Sequence, residues 1–138
     1  MAFPSGVETH ASSPGWDACG RRARRSVVFT QGSPMIVLQT SFELVRSLRA
    51  QVLPAVRKHD ASLASQMQRA AQSVVLNIAE ARQARGLRCH DKFSIAYGEC
   101  SELKAAMQLA EVFGYVEVDA GLIDQCDHVC AMLYKLSR

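Results

Sequence analysis

The stretch FSIAYGECSELKAAMQLAEVFGY, residues 93–115, decides the fold. One row of apolar and small residues recurs along it in steps of three and four: Phe93, Ala96, Cys100, Leu103, Met107, Ala110 and Gly114. Such spacing is a heptad seam, which is typical of helices that pack side by side at shallow angles. It predicts a helix over residues 89–114 with this row facing the core.

A second row of mostly apolar and small residues follows the same helix: Ile95, Gly98, Glu102, Ala105, Leu109 and Val112. It lies almost opposite the first row, because two residues advance a helix by about 200°. A helix with apolar residues on two sides is usually buried on both. Gly98 costs a helix interior about 1 kcal/mol relative to alanine. We therefore expect the second row to be an oligomer interface, where Gly98 allows another subunit to come close; the alternative is a local irregularity of the helix.

The first predicted helix spans residues 35–58. Pro54 removes one backbone hydrogen bond and should bend this helix near its last turn. The row predicted to face inward repeats in steps of three and four and comprises Leu38, Phe42, Val45, Leu48, Val52 and Val56. These residues would pack against the other helices of a bundle.

Two further helices are predicted over residues 61–84 and 120–137. Asp60 and Asp119 stand at their N-cap positions, and Gly86 follows the earlier helix where helices usually end. The inward row of the earlier helix comprises Leu63, Met67, Ala70, Ala71, Val74, Asn77, Ile78 and Ala81, and that of the later one comprises Leu122, Cys126, Val129, Leu133 and Leu136. Asn77 is expected to bond to a backbone carbonyl, and Glu80 to Arg69, to Arg82 or to another helix.

Four helices joined by short links predict an all-α, antiparallel up-down-up-down four-helix bundle over residues 35–138. Residues 1–34 hold three of the four prolines and the basic cluster RRARR, and they show no apolar period. We predict that they form a disordered basic tail. The periodic pattern begins at Met35, which leaves open an over-long start-site assignment.

The five cysteines are odd in number and form no paired framework, and no secretory signal or membrane-length apolar run is convincing. A cytoplasmic protein with free thiols is expected. Cys126 and Cys130 lie one turn apart, but no further ligand is evident in the pattern, so we interpret them as small core residues and expect no metal. A catalytic pair of Cys89 and His90 would need an orienting group and an oxyanion hole, and the sequence suggests neither. We predict no catalytic residues, no cofactor and no enzyme.

Charge is unevenly distributed along the bundle. Residues 43–92 carry nine basic and four acidic side chains, whereas residues 93–138 carry three and seven. The basic candidates for binding RNA or DNA are Arg46, Arg49, Arg57, Lys58, Arg69, Arg82, Arg85, Arg88 and Lys92. No aromatic stacking platform is visible in the sequence. Ordinary solvated charge, or pairing of opposite charges between subunits, remains the alternative.

Two stretches, residues 66–86 and 93–115, resemble the small bacterial four-helix-bundle proteins encoded in intervening sequences of 23S ribosomal RNA genes. The accessory variability protein of diversity-generating retroelements is similar to that group. The residues that match the family pattern are Arg69, Ala70, Ala71, Ser73, Asn77, Ala79 and Glu80, then Ala96, Gly98, Glu102 and Leu103, and finally Ala110, Gly114 and Tyr115. Ala81 and Glu99 depart from it, where the family usually has glycine and serine.

This resemblance implies a bundle that assembles as a homopentameric ring. It also implies that the retroelement relative binds nucleic acid and a reverse transcriptase through a basic surface. We therefore predict a non-enzymatic, homo-oligomeric, nucleic-acid-binding accessory protein, with a reverse transcriptase or another protein as a further partner and no membrane association. The alternative is an oligomeric scaffold or protein-interaction module without a nucleic-acid role.

Overall fold

A computed structural model describes residues 34–138, and within that range all regular structure is helical. The five helices are α1 (Pro34–Gln51), α2 (Leu53–His59), α3 (Ala61–Gln83), α4 (Leu87–Val112) and α5 (Ala120–Leu136). The predicted all-α class is confirmed. The prediction of a disordered tail falls on residues that, except for Pro34, lie outside the described range.

Pro54 divides the predicted first helix into α1 and α2. Proline has no N–H to donate to the Ala50 carbonyl, and its ring crowds that carbonyl. α1 therefore ends and α2 begins on either side of Val52. Backbone bonds from Val52 N–H to the Leu48 carbonyl (3.0 Å) and from Val56 N–H to the Val52 carbonyl (3.1 Å) span the break. The bend predicted near Pro54 is therefore found as an interruption of the helix at Val52.

The ends of the helices follow local side-chain and backbone chemistry. The Asp60 carboxylate accepts a hydrogen bond from the Leu63 N–H at 2.8 Å and so caps α3, as predicted. Asp119 occupies the N-cap position of α5, but its side chain makes no capping bond. Gly86 has a φ of +62° and directly precedes α4, whereas α3 already ends at Gln83. Gly86 thus starts α4 instead of ending α3.

Contacts between side chains show how neighbouring helices run. Glu80 near the end of α3 pairs with Lys92 near the start of α4. Earlier in α3, the Gln66 amide donates to the Glu102 carboxylate at 3.2 Å. The two helices therefore run in opposite directions. α4 also packs against α5, and α1 packs against both α3 and α5, so the helices surround a common core.

The core seam of α4 is buried as predicted from Phe93 to Ala110. The inward rows of α3 and α5 are also buried, with Asn77 and Leu136 half-buried. The prediction was wrong for Gly114. This residue is exposed and lies beyond the end of α4, with a φ of +73°. The positive φ stops the helix two residues earlier than the predicted end.

The predicted inward row of α1 was wrong by one residue over its first half. Phe42 is 47% exposed, and Leu38 and Val45 are half-buried. The buried residues of α1 are instead Val37, Ser41, Leu44 and Leu48. Both rows are largely apolar and lie about 100° apart on the helix, so spacing alone could not separate them. Ser41 tolerates burial because its hydroxyl donates to the Leu38 carbonyl at 2.7 Å.

Candidate nucleic-acid interface

A groove of about 750 Å³ lies between α1, α2 and α3. Arg46 and Arg49 project from α1, and Arg57 projects from α2. On the opposite side, α3 contributes Gln68 and Gln72. The rest of the lining is mainly apolar and includes Val45, Leu48, Leu53, Pro54 and Ala71. We call this feature the arginine groove.

The spacing of the three arginines and the break at Val52 explain this arrangement. Arg46 and Arg49 are three residues apart and so share one side of α1. Leu53 and Pro54, at the start of α2, line the groove beside them. Arg57 follows one turn after Leu53, and its guanidinium donates to the Gln68 side-chain oxygen at 2.9 Å. Two separate helices therefore present their arginines to one concave surface.

The three arginines of the groove carry exposed, uncompensated charge. Within residues 34–138, no carboxylate lies within ion-pair distance of Arg46, Arg49 or Arg57. An arginine guanidinium presents a planar set of donors that matches the oxygens of a phosphate group. The groove can therefore accept phosphates without first breaking an ion pair.

The other basic candidates are arranged differently. Arg88 and Lys92 line a smaller depression of about 500 Å³ together with Glu80 and Asp91. Lys92 is paired with Glu80, which therefore contacts another helix and not Arg69 or Arg82. The positive and negative groups in this depression balance in number, so it attracts an anion less than the arginine groove does. The candidates that are exposed and line neither feature are Lys58, Arg69, Arg82 and Arg85.

Three aromatic rings stack where α2 ends and α4 ends, a cluster that was not predicted from the sequence. The ring centroid of Tyr115 lies 5.3 Å from that of His59 and 5.4 Å from that of Phe113, with nearly parallel planes. Phe113 is 58% exposed. An exposed aromatic face can stack on a nucleic-acid base. His59 and Tyr115 are far apart in sequence, so only the tertiary fold reveals the stack.

All six residues of the predicted oligomer interface are exposed in the single chain. Ile95 is 47% exposed, Leu109 44% and Val112 81%. A methyl group added at Gly98 would meet nothing within 4 Å. Nothing within the single chain therefore requires a glycine at this position. We call this surface the outer face of α4.

A cluster of three thiols was missed because its members come from two helices. Cys100 of α4 lies opposite Cys126 and Cys130 of α5, and the three sulfurs are all within 4.8 Å of one another. The Sγ atoms of Cys100 and Cys126 are 3.7 Å apart. Sequence reasoning paired Cys126 with Cys130 but placed Cys100 only in the seam of its own helix. The contact between α4 and α5 brings the third sulfur to the pair.

Hydrogen bonds among these thiols separate their acidities. Bonds with Cys100 and then Cys126 lower the pKa of Cys130 to about 4. The bond with Cys100 lowers the pKa of Cys126, but its bond with Cys130 and its burial outweigh this and raise that pKa to about 12. The pKa of Cys100 is raised by its bonds to the other two thiols and by burial. Of the three thiols, the half-buried Cys130 is therefore the one that loses its proton most readily.

These features define a small all-helical protein with a basic groove and one exposed apolar helix face. The family model described as 23S rRNA-intervening sequence protein matches residues 33–135. The chain belongs to this family, which confirms the resemblance seen in the sequence. No curated protein and no solved structure gives a significant match. Similarity to the accessory variability protein stays a prediction.

No helix in residues 34–138 is long and apolar enough to cross a bilayer.

Proposed function

We propose that this protein is a non-enzymatic, homo-oligomeric accessory factor that binds the phosphate backbone of RNA or DNA through the arginine groove. The observation that carries the proposal is the convergence of Arg46, Arg49 and Arg57 on one groove, where no carboxylate of residues 34–138 pairs with them. In this proposal α1 and α2 act as one bent helix of an up-down-up-down four-helix bundle. The groove then lies along one flank of the bundle.

The chemistry of the groove favours a phosphate backbone over a small metabolite. Its charged groups are all cationic and exposed, and its two glutamines can donate further hydrogen bonds. Among the residues that line it, none combines a nucleophile with a general base, which is what most covalent catalysis requires. Contacts of this type position a nucleic acid without reading its sequence.

Assembly through the outer face of α4 would repeat the groove around an oligomer. Ile95, Leu109 and Val112 provide apolar area, and Gly98 provides room for a neighbouring chain. Repetition converts weak single-site binding into useful affinity when one nucleic acid spans several grooves. We propose five copies, the number that the family resemblance implies.

The arginine groove can be tested by salt-dependent binding to a fluorescent single-stranded RNA and to duplex DNA. The variant Arg46→Gln/Arg49→Gln/Arg57→Gln should weaken binding. It should reduce the slope of log Kd against log salt by about 2 per groove for single-stranded RNA and by about 3 for duplex DNA. The matched control, Arg69→Gln/Arg82→Gln/Arg85→Gln, removes the same charge from exposed positions outside the groove. It should retain most of the affinity. Equal losses in both variants, or none in the groove variant, would contradict the proposal.

A scaffold without a nucleic-acid role is the second candidate, and the exposed outer face of α4 is the observation that favours it. If the unmodified protein binds neither RNA nor DNA at low salt, the scaffold replaces the first proposal. Affinity capture after nuclease treatment should then recover a protein partner. A reverse transcriptase is the partner to test first, and its capture together with RNA binding would support the accessory role.

A further inference from the structure

The thiol cluster of Cys100, Cys126 and Cys130 has the dimensions of a metal site. Three sulfurs bound at about 2.3 Å to one cation lie about 3.8 Å apart in tetrahedral geometry and about 4.0 Å apart in a trigonal plane. The Cys100 and Cys126 sulfurs are 3.7 Å apart, and all three are within 4.8 Å. Movements of less than 1 Å would place all three sulfurs at bonding distance from a central ion.

We propose that Cys100, Cys126 and Cys130 form a three-sulfur site for a soft cation, and that Cu(I) fits it best. Thiolate sulfur favours Cu(I) and Zn(II) over harder ions. Within residues 34–138, no histidine or acidic side chain joins the three cysteines as a fourth ligand. Zn(II) usually takes four ligands and would need one from solvent. Cu(I) is the softer ion, and three sulfurs can satisfy it.

The surroundings of the cluster suit an ion that enters from one side. Cys100 and Cys126 are fully buried, whereas Cys130 is half-buried and offers access from the surface. Lys104 lies one turn after Cys100 and close enough to Cys126 and Cys130 for their charges to interact. Its ammonium also bonds to the Asp127 carboxylate at 2.6 Å. Lys104 and Asp127 together add no net charge, so the site would keep the double negative charge of three thiolates and one Cu(I).

Binding would form three S–Cu bonds in place of the S–H bonds of those thiols that are still protonated, and would release their protons to solvent without any change in oxidation state. Within residues 34–138 the other cysteine, Cys89, is not part of this cluster and is disulfide-bonded, so the prediction of free thiols was wrong for it. A variant that changes only the cluster therefore distinguishes binding here from binding elsewhere in the chain.

The test uses the full, reduced chain under anaerobic conditions. Cu(I) is titrated in competition with a coloured Cu(I) chelator, and Zn(II) is titrated in parallel against a coloured Zn(II) chelator. We expect one Cu(I) per chain and weaker retention of Zn(II). Cys130→Ser should lower the Cu(I) affinity by about 100-fold or more, since losses outside the ligand shell alone cost 10–100-fold. His128→Ala is the matched control, because His128 is exposed and outside the cluster.

A second measurement on the unmodified protein keeps the proposal testable if Cys130→Ser unfolds. X-ray absorption at the copper edge should show about three sulfur neighbours and no nitrogen or oxygen neighbours. Failure of the protein to retain either ion against the chelators would overturn the site. Unchanged Cu(I) affinity in a folded Cys130→Ser variant, or a nitrogen and oxygen shell, would do the same. Tighter retention of Zn(II) would overturn the assignment of Cu(I).

Discussion

The two sides of α4 contain similar residues but have opposite surroundings. On the inner side, Phe93, Leu103 and Met107 are fully buried. On the outer face, Leu109 is 44% exposed and Val112 is 81% exposed. Both sides repeat in steps of three and four and both are mostly apolar. Within the described residues 34–138, only the inner side is covered by the rest of the chain.

A helix can therefore carry more apolar surface than its own fold buries. α3 provides the contrast, because its exposed side is mostly glutamine, serine, glutamate and arginine, with Leu76 as its large apolar residue. Large contiguous apolar patches on a soluble protein usually mark an interaction site. The sequence of α4 therefore indicates a second packing partner, for which we propose further copies of the chain.

The largest expected effect comes from placing a charge on the outer face. Leu109→Glu should reduce the assembled particle to single chains, because a carboxylate buried between subunits would have no partner. Its circular dichroism should retain the helical signal, since Leu109 does not belong to the core. Glu102→Gln is the control within the same row, and it should assemble normally. Sedimentation velocity at micromolar concentration measures both, and an unchanged particle for Leu109→Glu would contradict the assignment.

Alanine substitutions at Leu103 and Leu109 distinguish the stability of the single chain from the stability of the assembly. Leu103→Ala removes a fully buried side chain and should lower the free energy of unfolding by about 2–5 kcal/mol. This loss should be nearly independent of protein concentration. Leu109→Ala should cost less, and its cost should grow with protein concentration because it acts through association. Urea unfolding of both variants at two protein concentrations tests this difference. A loss of stability for Leu109→Ala that is the same at both concentrations would contradict its role in association.

Cys100, on the inner side of α4, should differ in reactivity from Cys130, which faces it from α5. The pKa of Cys130 is lowered to about 4, so it is a thiolate at neutral pH, whereas the raised pKa of Cys100 keeps that thiol protonated. Iodoacetamide at pH 7 should alkylate Cys130 at least about 10-fold faster than Cys100, since Cys130 is ionised and half-buried whereas Cys100 is protonated and fully buried. Mass spectrometry of the peptides measures both rates.

The pH dependence of alkylation at Cys130 shows whether its pKa is lowered or raised. The rate at Cys130 should change little between about pH 6 and 8, because a group with a lowered pKa is already ionised throughout this range. A rate that rises tenfold per pH unit would mean that the Cys130 pKa is not lowered. Cys130→Ser should abolish the fast phase of labelling.

The smallest effects are expected from substitutions at two glycines, Gly86 just before α4 and Gly98 within it. Gly86→Ala should lower the free energy of unfolding by about 1–2 kcal/mol, because Gly86 has a φ of +62°. Gly98→Ala should instead stabilise the dissociated chain by up to about 1 kcal/mol, because the added methyl meets nothing in that chain. The same change should weaken assembly. Thermal unfolding and sedimentation of both variants measure this contrast, and stronger assembly of Gly98→Ala would contradict the proposed close approach.

Much of the fold could be predicted from the sequence because apolar period and local chemistry agree. The α4 seam from Phe93 to Ala110 and the Asp60 cap were both correct, since each depends on residues within one or two turns. The α1 row failed at Phe42, because two adjacent apolar rows differ only in how they meet α3 and α5. That choice depends on tertiary packing, which spacing along one helix does not contain.

The candidate site was predicted less completely because its parts come from separate helices. The sequence identified nine basic residues as one set, but only three of them converge on the arginine groove. The stack of His59, Tyr115 and Phe113 and the third sulfur of the thiol cluster depend on contacts between distant segments. Residue type identified these side chains as candidates, and only the packing of the helices shows which of them meet.

The central claim is that the outer face of α4 is covered by other copies of the chain. The most direct test is the solution mass of the unmodified protein, measured by light scattering across micromolar concentrations. We expect light scattering to show a particle of several 15.1 kDa chains, with five as the proposed number. A single species with the mass of one chain at every concentration would contradict it.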